Sequence, residues 1–116
     1  MNEPARPVVL LVDDDELVRA TLRRALLLAF DVVVAAGIDE AVAVVRSRRV
    51  DFLVTDLCLE DERGRDGRWL LEHVTVPALV LTGSVVDNAE PNLVRKPISP
   101  RALIERIQAA LAGQLA

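Results

Sequence analysis

Runs of consecutive apolar residues alternate along this chain with segments in which apolar residues recur every three or four positions. Residues 8–12 form the first run, and Val18, Leu22 and Leu26 mark the segment that follows. Continuous apolar runs are typical of strands buried on both faces of a parallel sheet, and the spaced pattern is typical of amphipathic helices. The pattern predicts strands over residues 8–12, 32–35, 52–55, 78–81 and 93–95, and helices over residues 16–29, 39–47, 69–74 and 100–112.

The order of these elements predicts the class of fold. Strands alternate with helices through short connections, which indicates a doubly wound α/β fold with a five-stranded parallel sheet. We expect the flavodoxin-like strand order 2-1-3-4-5, in a single domain that covers residues 1–116. Asp39 is the expected cap of the second helix. Ser99 is the expected cap of the last helix, because Pro100 follows it at the first helical position.

Composition and charge limit the functions that this chain can have. The sequence is 52% hydrophobic and 3% aromatic, and its net charge of −4 argues against direct binding of nucleic acid. It has no long apolar segment and no signal peptide pattern at its start, so we expect no membrane span and a cytoplasmic location. The only cysteine, Cys58, cannot form an internal disulfide, which fits a reducing compartment.

Acidic residues follow two of the predicted strands. Asp13, Asp14 and Asp15 come directly after the first strand, and Asp56 comes directly after the third. In this class of sheet, ligands bind beyond the carboxyl ends of the strands, at the point between strands 1 and 3 where the strand order reverses. Neighbouring carboxylates raise the pKa of one another, and a hard divalent cation removes that repulsion. The acids therefore predict a divalent cation site.

Two further polar residues lie at the ends of strands. Lys96 is the only lysine among the 14 Lys and Arg residues, and its ammonium is a compact point charge. Thr82 follows the fourth strand. A cation, an ammonium and a hydroxyl together suit a phosphoryl group, with Asp56 as its nucleophile. We expect Lys96 to pair with Asp56 before transfer and with the phosphoryl group afterwards, and Thr82 to donate a hydrogen bond to a phosphoryl oxygen.

Four segments of the chain resemble the motifs of two-component response-regulator receiver domains, the CheY-like phosphoacceptor domains. They are LLVDDDE at 10–16, DFLVTDL at 51–57, VLTG at 80–83 and VRKP at 94–97. The resemblance implies a signalling phosphoacceptor rather than an enzyme, apart from self-catalysed phosphoryl transfer and slow autodephosphorylation. It also implies that a histidine kinase or a phosphotransfer protein donates the phosphoryl group, with Mg²⁺ or Mn²⁺ as cofactor.

The resemblance assigns a role to individual residues around Asp56, the implied acceptor. The implied metal ligands are the carboxylates of Asp13, Asp14 and Asp56 and the backbone carbonyl of Cys58, with Asp13 acting directly or through water. The implied phosphoryl ligands are the backbone amides of Leu57 and Gly83 together with Lys96 and Thr82. A cis peptide bond is expected before Pro97.

The first helix carries leucines outside its core-facing stripe. Leu17 and Leu28 lie off that stripe, with Arg24 on the same side. The resemblance places donor docking on the first helix and on the loop after Lys96. We therefore expect the kinase or phosphotransfer protein to dock near Leu17, Arg24, Leu28 and Ile98.

Three features differ from the usual family pattern. Only 13 residues separate Thr82 from Lys96, which is fewer than the family usually has. We therefore expect the fourth helix to be shortened or absent. We also expect the domain to be a monomer. Leu93 stands where the family usually has Tyr or Phe. The charged loop after Asp56 is longer than usual, and either Gly64 or Gly67 matches the family's glycine.

Two other functions remain open from the residues. The first is an interaction module that works independently of phosphorylation, which Leu93 and the short segment before it favour and the acids and Lys96 oppose. The second is a haloacid-dehalogenase-like phosphohydrolase, because Asp13 and Asp15 are separated by one residue as in its nucleophile motif. Leu17 stands where that family has Thr or Val, and no acidic pair lies near Lys96.

Overall fold

The computed structural model describes residues 6–59, 61–83 and 92–114, and five strands and four helices lie in these ranges. No helix in them is long and apolar enough to cross a membrane. In chain order the elements are β1 (Val8–Val12), α1 (Glu16–Leu26), β2 (Asp31–Ala35), α2 (Ile38–Ser47), β3 (Phe52–Asp56), α3 (Gly67–His73), β4 (Ala78–Thr82), β5 (Leu93–Arg95) and α4 (Pro100–Gln114).

The strands form one parallel sheet in the order β2-β1-β3-β4-β5, which confirms the predicted fold class. In the register of the sheet, Val12 lies opposite Thr55, and Asp56 lies opposite Leu81. The carboxyl ends of β1, β3 and β4 therefore lie side by side at one edge. The shortened fourth helix was expected between Thr82 and Lys96, and residues 84–91 of that segment lie outside the described residues.

Both faces of the sheet are covered, which explains why the strands are continuously apolar. Successive side chains of a strand point to opposite faces. Val9 and Leu11 of β1 pack with residues of α1 and α4, whereas Leu10 and Val12 pack with residues of α2 and α3. All five residues of β1 are buried. Burial of each large apolar side chain contributes roughly 1.5–3 kcal/mol, so the central strands fix the position of the polar residues that follow them.

Helix α1 ends three residues before the predicted position. Its last residue is Leu26, and the amides of Leu28 and Ala29 then form turns with the carbonyl oxygens of Ala25 and Leu26. This turn delivers Phe30 to the core, where its side chain is fully buried. The prediction that α1 extends to residue 29 was wrong. The apolar spacing continues beyond the helix because residues of the following turn also pack in the core.

Among the starts of α2, α3 and α4, one agrees with the prediction and two differ from it. Asp39 is not the cap of α2, because Gly37 holds that position without a side-chain hydrogen bond. Asp66 caps α3 by accepting the Trp69 amide at 3.0 Å, so α3 begins two residues earlier than predicted. The Ser99 hydroxyl accepts the Ala102 amide at 3.1 Å, which confirms its predicted role at the start of α4.

Candidate functional site

Three carboxylates meet at the carboxyl edge of the sheet. Asp13 and Asp14 follow β1, and Asp56 is the last residue of the neighbouring β3. One carboxylate oxygen from each residue lies within 4.8 Å of one from each of the others. Asp13 is buried, Asp56 is half-buried and Asp14 is exposed. Since hard divalent cations prefer several carboxylate oxygens, this cluster can hold such an ion and remain open to solvent on one side.

The Asp13 carboxylate is the least satisfied group of this cluster. Its Oδ1 accepts the Asp15 amide at 2.9 Å, whereas its Oδ2 is buried without a hydrogen-bond partner among the described residues. Burial raises the pKa of Asp13, the Asp15 amide lowers it, and the charge of Asp56 raises it again, with a net upward shift. A buried oxygen without a partner is costly, and a cation at the cluster would remove that cost.

The connection between β1 and α1 holds Asp13 through its backbone. Its amide donates to the Ala35 carbonyl at the end of β2 (3.2 Å), and its carbonyl accepts Nη1 of Arg19 (2.8 Å). Asp15 then caps α1 by accepting the Val18 amide at 3.0 Å. Adjacent acids therefore have different roles. Asp15 caps the helix, whereas Asp13 and Asp14 belong to the carboxylate cluster.

Lys96 brings a positive charge to Asp56. Its Nζ lies 2.8 Å from Asp56 Oδ1, and both side chains are about one third exposed or less. Burial lowers the pKa of Lys96, but the hydrogen bond to Asp56 and the charges of Asp56, Asp13 and Asp14 raise it, and the net shift is upward. Lys96 therefore carries its charge at neutral pH. The peptide bond between Lys96 and Pro97 is cis, as expected.

The predicted phosphoryl ligands lie around the ends of β3 and β4. Thr82 is buried at the end of β4, one residue after Leu81, which pairs with Asp56. No atom of the described residues lies within 4 Å of the position that a Cβ on Gly83 would take. The Leu57 amide donates to the Leu81 carbonyl at 2.8 Å, so a phosphoryl oxygen would have to compete with that bond. Cys58 is exposed.

Gly67 lies directly against the end of β3. A Cβ at this position would stand 2.4 Å from the Asp56 carbonyl oxygen and 3.0 Å from the Leu57 Cα. Its amide donates to the Leu57 carbonyl at 2.9 Å. Gly64, the other candidate for the family glycine, instead forms a turn with a φ of +73°. Only a residue without a side chain allows α3 to begin this close to Asp56.

An ion-pair cluster in the loop after β3 was not foreseen from the sequence. The Asp61 carboxylate accepts Nε and Nη2 of Arg65, each at 2.9 Å, and Nη2 of Arg65 also lies 2.7 Å from Asp39 Oδ1. Hydrogen bonds and the charge of Arg65 lower the pKa of Asp61 to about 2. The charges in this loop were visible in the sequence, but Asp39 lies 26 residues from Arg65, and no local pattern indicates that pairing.

The residues of the expected docking surface do not form one continuous surface. Leu17 and Leu28 are 76% and 82% exposed, Arg24 is exposed, and Ile98 is half-buried against the core. Leu17 lines a hollow with Asp15, Glu16 and Ala20, whereas Leu28 lines a separate groove along α4. The two exposed leucines therefore offer two apolar contact points rather than one continuous hollow.

The family model of the response regulator receiver domain matches this chain over residues 9–108. That match covers most of the chain, so the chain belongs to the response regulator receiver domain family. Receiver domains are the signalling phosphoacceptors of two-component systems. They interact with histidine kinases or phosphotransfer proteins, and they bind Mg²⁺ at an acidic cluster of aspartates.

Solved receiver structures share this fold. A CheY-like receiver domain protein from Methanospirillum hungatei is 23% identical, with a TM-score of 0.82 and coverage of 95% of this chain and 97% of that one. Chemotaxis protein CheY4 from Vibrio cholerae is also 23% identical, with a TM-score of 0.79 and coverage of 90% and 98%. The receiver domain of the hybrid histidine kinase CckA is 27% identical, with a TM-score of 0.72 and coverage of 90% and 98%. A search of curated proteins found no match.

Proposed function

We propose that this chain accepts a phosphoryl group on Asp56 from a histidine kinase or a phosphotransfer protein, in cytoplasmic two-component signal transduction. The observation that carries this proposal is the contact of 2.8 Å between Lys96 Nζ and Asp56 Oδ1, beside the cluster of three carboxylates. Phosphoryl transfer depends mainly on positioning and on the neutralisation of charge. A nucleophilic carboxylate, a cation site and an ammonium at one edge of the sheet supply these requirements.

The acids of this site fit a divalent cation, Mg²⁺ or Mn²⁺. Asp13, Asp14 and Asp56 and the backbone carbonyl of Cys58 would hold it, and the buried Asp13 Oδ2 has no other partner among the described residues. When bound, the ion would neutralise the carboxylates and polarise a phosphoryl oxygen.

The residues of the chain account for the chemistry of transfer. A carboxylate oxygen of Asp56 attacks phosphorus, the bond between phosphorus and the donor imidazole nitrogen breaks, and the electron pair of that bond stays on the nitrogen. Lys96 then pairs with a phosphoryl oxygen instead of the free carboxylate. Thr82 donates its hydroxyl to another phosphoryl oxygen, and the lack of a side chain at Gly83 lets its amide approach. Attack by water later releases inorganic phosphate and restores Asp56.

The Asp56→Asn variant tests the assignment of the acceptor. Backbone NMR would follow a titration with Mg²⁺ and then with beryllofluoride, which mimics a phosphoryl group on an aspartate. We expect saturable shifts around Asp14, Asp56, Thr82 and Lys96 in the wild type. We expect no beryllofluoride response in the variant, because an amide oxygen is too weak a nucleophile to hold the mimic.

The opposite result would favour the alternative function. A wild type that shows no shift at millimolar Mg²⁺ would support an interaction module of receiver fold that works independently of phosphorylation. The observation that favours this alternative is Leu93, a half-buried aliphatic residue on β5 where the family usually has an aromatic.

Donor docking is proposed on Leu17, Arg24, Leu28 and Ile98. The Leu28→Glu variant would place a charge on an apolar contact, so we expect slower phosphoryl transfer from the cognate donor and an unchanged response to beryllofluoride. Ala109→Glu, at an exposed position of α4, adds the same charge elsewhere and is the matched control. Equal transfer rates for wild type, L28E and A109E would contradict the docking assignment.

A further inference from the structure

The connection from the acceptor strand to α3 is long and closed by its own polar contacts. It spans the ten residues between Asp56, the end of β3, and Gly67, the start of α3. Its two ends are joined by the Gly67 amide, which donates to the Leu57 carbonyl at 2.9 Å. Leu59 is buried in the core cluster beneath α2 and α3. Cys58, whose carbonyl is a proposed metal ligand, therefore lies between two anchored residues.

The outer part of this loop is held by one carboxylate. Asp61 Oδ2 accepts the amides of Arg63 and Arg65 at 3.1 and 3.0 Å, and the Asp61 carbonyl accepts the Gly64 amide at 3.0 Å. The Arg65 guanidinium binds both oxygens of the same carboxylate. The side chains of Asp61 and Arg65 are only 10% and 13% exposed, unlike those of a surface ion pair.

Arg65 also connects this loop to its neighbours. Its guanidinium carbon lies 5.0 Å from the centre of the Trp69 ring on α3, and Nη2 lies 2.7 Å from Asp39 Oδ1 in the first turn of α2. Helix α2 begins three residues after Ala35, whose carbonyl accepts the Asp13 amide. Arg65 thus links the segment that carries Cys58 to the segment that supports Asp13.

We propose that Arg65 is a positioning residue for the cation site, because it binds Asp61 in a bidentate pair and joins the β3–α3 loop to Asp39 of α2. The proposal rests on the proposed function, since it concerns the same site. Arg65 does not touch the acids of the cluster in the described contacts, and it acts on the backbone that presents Cys58. The planar guanidinium suits this task, because an ammonium cannot bind two carboxylate oxygens in one plane and stack on Trp69.

The Arg65→Lys variant tests this role while it keeps the charge. We expect the dissociation constant for Mg²⁺ to rise about tenfold, the lower end of the effect seen when residues that support metal ligands are changed. The phosphorylation rate with acetyl phosphate should fall at limiting Mg²⁺ and return to the wild-type value at saturating Mg²⁺. That split distinguishes weaker metal positioning from a general structural defect, which saturating Mg²⁺ would not repair.

Three further variants separate the contacts of Arg65. Asp61→Asn removes the partner charge and should weaken Mg²⁺ binding as R65K does, and it also provides a second test if R65K folds poorly. Asp39→Asn should have a smaller effect, because the Asp39 side chain is 84% exposed and exposed ion pairs contribute little. Arg63→Lys changes an exposed arginine of the same loop and should leave Mg²⁺ affinity unchanged.

Each result bears on one of the two proposals. R65K and D61N with wild-type Mg²⁺ affinity would overturn the role of Arg65 and leave the acceptor assignment intact. A weaker affinity in R63K equal to that in R65K would also overturn it, because any arginine-to-lysine change in this loop would then have the same effect. A wild type that binds no Mg²⁺ would overturn both proposals.

Discussion

Two connections at the same edge of the sheet present the acids of this site, and they do so in different ways. The β1–α1 connection consists of the three residues 13–15, whereas the β3–α3 connection consists of the ten residues 57–66. In the short connection, the side chains of Asp13 and Asp15 accept backbone amides two and three residues further along. In the long connection, Arg65 reaches Asp39 across 26 residues.

The difference separates two means of placing a carboxylate. The short connection is held mainly by local hydrogen bonds to the side chains of Asp13 and Asp15, together with the bond from the Asp13 amide to the Ala35 carbonyl of β2. The long connection depends on Gly67, which packs against β3, and on the pairs of Arg65 with Asp61 inside the loop and with Asp39 of α2. Loss of the Asp15 cap in the short connection should therefore act mainly on α1, whereas a change at Gly67 should also affect Asp56.

The largest effect on stability is expected from Gly67→Ala, at the start of α3 where the long connection ends. The added Cβ would stand 2.4 Å from the backbone oxygen of Asp56, which cannot move without disturbing β3. Overpacking of this kind costs about 3 kcal/mol, so we expect the free energy of unfolding in urea to fall by that amount. Mg²⁺ affinity should fall as well, because Asp56 and Cys58 would be displaced.

Gly113→Ala is the matched control for that substitution. Gly113 lies in α4, and no described residue outside the helix lies within 4 Å of its added Cβ. Alanine is favoured over glycine in a helix by up to about 1 kcal/mol, so this variant should be unchanged or slightly more stable. A G67A variant as stable as G113A would show that the contact of α3 with β3 is not tight.

A smaller effect is expected from Asp15→Ala in the short connection. Asp15 accepts the Val18 amide and caps α1. Loss of such a cap costs about 1 kcal/mol, again measured as the free energy of unfolding. Because Asp13 keeps its contacts with Ala35 and Arg19, we expect Mg²⁺ binding to change little.

Asp15→Asn separates the cap from the charge. Asparagine keeps an acceptor oxygen for the Val18 amide but carries no charge, so it should retain most of the stability that alanine loses. If D15N and D15A were equally destabilised, charge near the start of α1 rather than the capping hydrogen bond would explain the loss.

Local and periodic features of the sequence were sufficient for much of this structure. The strands agree with the prediction within one residue at each end, because continuous apolar runs bounded by polar residues mark buried strands directly. The strand order followed from the alternation of strands and helices. The same reasoning brought Asp13, Asp14, Asp56 and Lys96 to one edge, since the carboxyl ends of parallel strands coincide there.

Tertiary structure decided the features in which a residue contacts a residue far away in the sequence. Asp39 has the residue type of a cap, yet it pairs with Arg65 while Gly37 takes the cap position. Apolar spacing predicts α1 to residue 29. The helix instead ends at Leu26, and the turn after it places the Phe30 side chain in the core. Gly67 rather than Gly64 packs on Asp56, and only the approach of α3 to β3 distinguishes them. Periodicity and strand-end chemistry are properties of neighbouring residues, whereas these contacts depend on elements brought together from far apart in the chain.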